Sequence, residues 1–222
     1  MAGLVPAIHV FDDAKQDVDG RDKAGHDGEG SVFRALLILT AILTAVPASA
    51  HTGSIAGGFI GGFAHPVLGP DHVAAMVAVG LWGAFLGRPA IYLLPVVFPL
   101  VMACGGVLGI LGVPLPAVES LIALSAVVLG AMVALAAKPP LWVAAALVGA
   151  FAIFHGHAHG AELPPAADAV AYSAGFVIAT GLLHLAGIAF GLLARWPAGR
   201  IAVRALGVAI AVAGSVFLGL LV

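Results

Sequence analysis

"AIYLLPVVFPLVMACGGVLGILG", residues 90–112, runs for 23 residues without a charged side chain. A helix rises about 1.5 Å per residue and the hydrocarbon core of a bilayer is about 30 Å thick, so such a stretch can span it with some tilt. The same pattern repeats on either side, at roughly 70–87, 117–137, 140–160, 168–194 and 200–222. The breaks between these segments fall at Gly-Pro, Arg-Pro, Pro-x-Pro and Pro-Pro pairs, which end helices. The whole chain of 222 residues is 62% hydrophobic and 9% charged, with a mean hydropathy of +1.14. A soluble domain carries about a quarter charged residues. The expected fold class is an all-α polytopic membrane protein with six transmembrane helices. A short Gly-rich piece, "GSIAGGFIGGFA" (53–64), precedes them and is too short to span, which predicts a half-helix or re-entrant segment.

The N-terminal fifty residues read differently. "VFRALLILTAILTAVPASA" has one arginine, an apolar run of about twelve residues and the small-x-small ending Ala48-Ser49-Ala50, the pattern of a cleavable signal peptide over 31–50. Cleavage after Ala50 would leave His51 at the new N-terminus, and 51–222 is expected to be the membrane domain. Residues 1–30 are acidic, Gly-rich and without apolar periodicity, so they are expected to be disordered. They resemble translated intergenic sequence attached to an over-extended gene start.

Charge fixes the expected orientation. A cleaved signal puts His51 outside. With six spans, Arg88, Lys138, Arg195, Arg200 and Arg204 then all face the cytoplasm, and the outer loops near 113–116 and 160–168 hold no Lys or Arg. That satisfies the positive-inside rule at every loop. The expected location is the bacterial inner membrane, with both mature termini periplasmic and the lipid bilayer as the main partner. A formal net charge of −2 argues against nucleic acid. Cys104 is the lone cysteine, so there is neither an intrachain disulfide nor a thiolate cluster.

In this topology the histidines gather at the outer side. "HPVLGPDH" (65–72) places His65, Asp71 and His72 at the start of the first span, where Gly69 makes a turn and Pro70 fits the first helical position. Asp71 lies where the helix dipole favours an acid, and Met76 is one turn beyond His72 on the same face. "FHGHAHGAE" (154–162) ends the fourth span. His155 and His159 are four apart, a spacing that lets two imidazoles reach one metal ion, and Glu162 follows. His157 points elsewhere unless the helix ends at Gly156. In the fifth span, Ser173, Val177, Thr180, His184, Gly187 and Gly191 recur at helical spacing, with His184 near mid-depth. Ionisable groups at membrane depth are expensive and mark functional pathways. The bland readings are a hydrogen bond to a neighbouring helix for His184, solvation for His157, an exposed helix-start acid for Glu119, and packing for Met102 and Met132. Imidazole and carboxylate without thiolate suit Ni, Co, Zn or Cu(II) better than Mg, Ca or Cu(I).

"HPVLGPDHVAAMVAVGLWGA" (65–84), "HGHAHGAE" (155–162) and "GFVIATGLLHLAGIAFG" (175–191) together resemble, in order, the motifs of the HupE/UreJ family of bacterial nickel permeases. The likeness covers residues 31–222. A wider nickel–cobalt transporter signature is matched less well, because five residues rather than four separate His65 from Asp71. The resemblance implies uptake of Ni²⁺, or of Co²⁺, as transported substrate for hydrogenase or urease maturation, with no permanently bound cofactor and no enzymatic activity. Its metal-handling residues map onto His65, Asp71, His72, His155, His157, His159 and His184. Met76, Glu162, His51 and Thr180 are further candidate ligands. The chain has no P-loop pattern, in keeping with a secondary permease. Two other classes use similar ligands: a periplasm-facing sensor or buffer that binds metal without moving it, and an intramembrane haem or metal enzyme. The absence of H-E-x-x-H speaks against a metallohydrolase.

Overall fold

Prolines and glycines set the helix boundaries in the computed structural model, which describes residues 58–163 and 168–221. The signal peptide expected at 31–50, His51 and the expected disordered stretch 1–30 lie outside the described residues. The helices are α1 (Phe59–Leu68), α2 (Pro70–Leu86), α3 (Ala90–Ile110), α4 (Val118–Ala134), α5 (Leu141–Ala161), α6 (Ala169–Gly191) and α7 (Pro197–Gly219), with a 3-10 turn, Leu192–Arg195, between the last two. Pro70 and Pro197 each occupy the first turn of their helix, where a missing N–H costs nothing. Asp168 caps α6, its carboxylate accepting from the backbone N–H groups of Val170 and Ala171 at 3.0 and 3.1 Å.

Eleven of the 17 residues of α2 are buried, so the first predicted span is the hub of the bundle. It packs against α1, α3, α4, α6 and α7, while α3 pairs with α5 and α4 with α7 around it. Trp82 is fully buried on α2, and its indole N–H donates to the Ala137 carbonyl at 3.0 Å, tying the hub to the loop after α4. The opposite faces are apolar and exposed. On α3, Tyr92, Val96 and Leu100 repeat every four residues and each is more than half exposed. An apolar outer face of this kind suits lipid.

Four helical segments are long and apolar enough to cross a bilayer: α3, α5, α6 with its 3-10 turn, and α7. The pair α1 and α2 gives a fifth if the 82° bend between them is counted within one span. The segment expected at 117–137 forms only 17 helical residues, about 25 Å, because Ala117 and Ala136 adopt left-handed backbone at φ 52° and 55°. The short Gly-rich helix also differs from expectation. It covers Phe59–Leu68 rather than 53–64, so His65 and Pro66 are helical and the turn contracts to Gly69.

Candidate metal centre

Three helix junctions bring the polar side chains together. At the α1–α2 bend, Gly69 turns the chain so that His65, in the last turn of α1, lies beside His72, in the first turn of α2, with ring centroids 6.1 Å apart. At the α3–α5 crossing the backbones nearly touch: a Cβ at Gly156 would fall on the Met102 carbonyl and one at Gly160 on the Gly106 carbonyl. The C-terminal turns of α5 bring His159 to 4.6 Å and His155 to 5.2 Å from the His72 ring of α2. At the α1–α6 crossing, Gly62 and Gly175 let the helices close, and Tyr172 and Phe176 form an aromatic wall beside His65.

The result is an unbroken line of rings. His65 lies 4.7 Å from His159, which contacts His72, which contacts His155. The Phe98 ring on α3 then lies 5.3 Å from His155 and 5.3 Å from His184, so it separates four clustered imidazoles from the fifth. His72, His155, His159 and His184 are all buried.

Hydrogen bonding fixes the chemistry of two rings. The Nδ1–H of His72 donates to Asp71 Oδ1 at 2.9 Å, and the same oxygen accepts from the His72 backbone N–H at 2.9 Å. The Nδ1–H of His155 donates to the Phe151 carbonyl at 3.0 Å. Each neutral ring therefore keeps its lone pair at Nε2. Both Nε2 atoms are buried and meet no protein partner among the described residues. Leaving a buried polar atom unsatisfied costs about 1–3 kcal/mol, and two such atoms lie here on rings in contact, an arrangement able to accept a ligand. A carboxylate behind a ligating imidazole, as Asp71 stands behind His72, orients the ring and raises its basicity.

A second donor group lies alongside. His65, His159 and Glu162 each offer a ligand atom, and these atoms lie within 4.8 Å of one another. Glu162 Oε2 is 3.8 Å from His65 Nε2. The donor set of imidazoles and carboxylates is one that a borderline divalent cation accepts. Glu119, exposed in the first turn of α4, also lies close enough for its charge to act on His72.

Other predicted residues fall elsewhere. Because α5 continues to Ala161, His157 faces away from the cluster, and its Nε2–H donates to the Val113 carbonyl at 2.7 Å. Met76 is fully buried in the apolar core. His184 and Thr180 are buried on α6, and the Thr180 hydroxyl meets no partner among the described residues. His184 reaches toward the Pro95 carbonyl without closing a full hydrogen bond. Pro99, four residues on, has no N–H to give that carbonyl. Ser173 and Val177 are exposed; the buried outer face of α6 is instead Tyr172 and Phe176. The buried face shifts because α6 packs on α1 near its start and on α2 farther along.

Residues 39–217 match the family model described as HupE / UreJ protein. The chain belongs to the HupE/UreJ family. Protein HupE of Rhizobium leguminosarum bv. viciae is 47% identical over 180 residues, which is 81% of this chain and 94% of that protein. No solved structure matches the chain. The histidine cluster and Phe98 all lie within the span matched to the family.

Proposed function

We propose that this HupE/UreJ member is a secondary permease that carries Ni²⁺, with Co²⁺ as the second candidate, from the periplasm to the cytoplasm. The observation that carries the reading is the pair of buried, unpartnered Nε2 atoms on His72 and His155, in contact with the His65–His159–Glu162 group. In this reading a divalent ion is captured among His65, His72, His155 and His159, with Asp71 orienting His72 and Glu162 supplying negative charge. It then passes Phe98 to His184 and leaves toward the cytoplasm. Histidine and carboxylate without thiolate hold the ion firmly enough to select it and loosely enough to release it. Two charges moving inward through about 100 mV gain about 4.6 kcal/mol, enough for roughly a thousandfold accumulation without ATP.

The membrane arrangement belongs to the same proposal: a cleaved signal at 31–50, six crossings of the inner membrane with α4 as a short one, and both mature termini in the periplasm. A 25 Å helix is accommodated by local thinning of the bilayer. The metal would serve hydrogenase, urease or another metalloenzyme. Translocation is favoured over a binding-only sensor because His184 continues the line of rings into the middle of the bundle, beyond any position that a periplasmic buffer needs.

Uptake of radioactive nickel into metal-starved cells tests the reading. His72→Ala, at membrane abundance equal to the parent, is expected to lower uptake at least about 100-fold and Asp71→Asn about 10- to 100-fold. Parental uptake by either variant removes the mechanism.

A further inference from the structure

At the far end of the same helices lies a cleft of about 660 Å³ with a different chemistry. It opens between the C-terminal ends of α2 and α6, the loop after α4 and the first turns of α7, and its lining includes Phe85, Lys138, Arg195, Arg200, Ile201 and Arg204. Four of those six are cations. Among the described residues, every carboxylate (Asp71, Glu119, Glu162 and Asp168) belongs to the opposite end of a helix, and none pairs with these cations. The distance from His72 to Phe85 along α2 is about 20 Å at 1.5 Å per residue.

The guanidinium groups are held but not consumed. Arg204 Nε–H donates to the Ala134 carbonyl at 2.8 Å, capping α4, and Arg200 Nε–H donates to the Ala194 carbonyl at 3.3 Å, capping the 3-10 turn. Each bond uses Nε alone and leaves the two terminal nitrogens to a ligand. Lys138 is steadied over the Phe85 ring at 5.4 Å. A planar guanidinium presenting paired N–H groups recognises phosphate by two parallel bonds. Gathering four cations in one concavity repels each from the others, a penalty that an anion removes.

We propose that this cleft binds the phosphate of a net-anionic phospholipid. The ligand chemistry is shared with free phosphate, but the setting favours lipid. The cleft lies at the ends of membrane-length helices, and Ile201, Trp196 and Trp142 at this end are 73%, 60% and 72% exposed. Exposed tryptophan at a helix end marks headgroup level, and an exposed Ile201 on the cleft wall offers a surface for an acyl chain. Among the described residues the cleft lining has no carboxylate to receive an ammonium, so phosphatidylglycerol fits and phosphatidylcholine does not. Basic pockets between helices take anionic headgroups by this combination.

Native mass spectrometry of the full chain in detergent, with phosphatidylglycerol, phosphatidylcholine or inorganic phosphate added, tests the proposal. One retained phosphatidylglycerol is expected where phosphatidylcholine is lost. Lys138→Gln should weaken retention about fivefold, and Arg200→Gln with Arg204→Gln about 25-fold. Arg88→Gln, a cation at this end but outside the cleft lining, should leave it unchanged. Lys138→Gln removes no helix cap, so it keeps the test open if the double variant does not fold. Equal retention of the two lipids, an equal effect of Arg88→Gln, or displacement of the lipid by millimolar inorganic phosphate would each overturn it.

Discussion

At one end of the bundle the described residues gather five imidazole rings, four of them clustered, and all four carboxylates; at the other they gather five cations and no acid. The same helices build both ends, yet they treat polar groups differently. The clustered imidazoles are tucked between helices, with His155 and His159 at most 7% exposed, and their ligand nitrogens are turned inward. The cations line a surface cleft or the helix ends around it. In the proposed reading a divalent cation is favoured at the first end by donors that have already lost their water, and opposed at the second by net positive charge.

Disabling the histidine end should have the largest effect. His72→Ala removes an inward Nε2 and the ring that contacts both His155 and His159. Nickel uptake is expected to fall at least about 100-fold, and Asp71→Asn about 10- to 100-fold, since it leaves the ring present but badly held. If both variants fell by the same twofold, the cluster would be a packing feature.

How much of this was legible in the sequence follows from which residues are unusual in lipid. His65, Asp71, His72, His155 and His159 stand out in an apolar chain, and loop charges alone placed them on one side. Phe98 gave no signal, because a phenylalanine in "LLPVVFPLV" is ordinary; only the fold sets it between His155 and His184. Of the helically spaced series on α6, Thr180, His184, Gly187 and Gly191 are buried, and only its first two members, Ser173 and Val177, are not. Periodicity assumes one neighbour along the whole helix, whereas α6 exchanges α1 for α2, which brings Tyr172 and Phe176 inside and leaves Ser173 and Val177 out. The length of α4 was also hidden, since 117–137 is apolar throughout and the left-handed Ala117 and Ala136 carry no compositional mark.

His184→Ala separates capture from passage. It spares the four-ring cluster, so nickel binding by equilibrium dialysis of the detergent-purified protein should stay within about twofold of the parent, while uptake falls about tenfold. Loss of binding along with uptake would place His184 in the capture site instead of beyond it.

A milder change tests how the favourable end is held together. Gly156→Ala puts a Cβ onto the Met102 carbonyl and forces α3 and α5 apart, which costs about 1–3 kcal/mol and lowers the melting temperature by several degrees. Gly181→Ala on α6, where a Cβ meets nothing within 4 Å, should be neutral or slightly stabilising. A Gly156→Ala protein that melts like the parent would mean that the crossing is looser than its backbone contacts indicate.

The smallest effect is expected at His157. His157 lies between His155 and His159 in "HGHAH", and by composition it belongs with them. By geometry it does not: the helix turns it toward the loop after α3, where it holds the Val113 carbonyl at 2.7 Å. One net hydrogen bond of about 1 kcal/mol is then what His157→Ala removes, and a bond at the rim of the bundle should shift melting by only a few degrees. Uptake at equal membrane abundance should stay within about twofold of the parent, against the 100-fold loss at His72. A loss at His157 as large as that at His72 would require the C-terminal turn of α5 to unwind when metal binds, bringing a fifth ring to the cluster. The Val113 bond would then be a latch on the resting state rather than a fixed support.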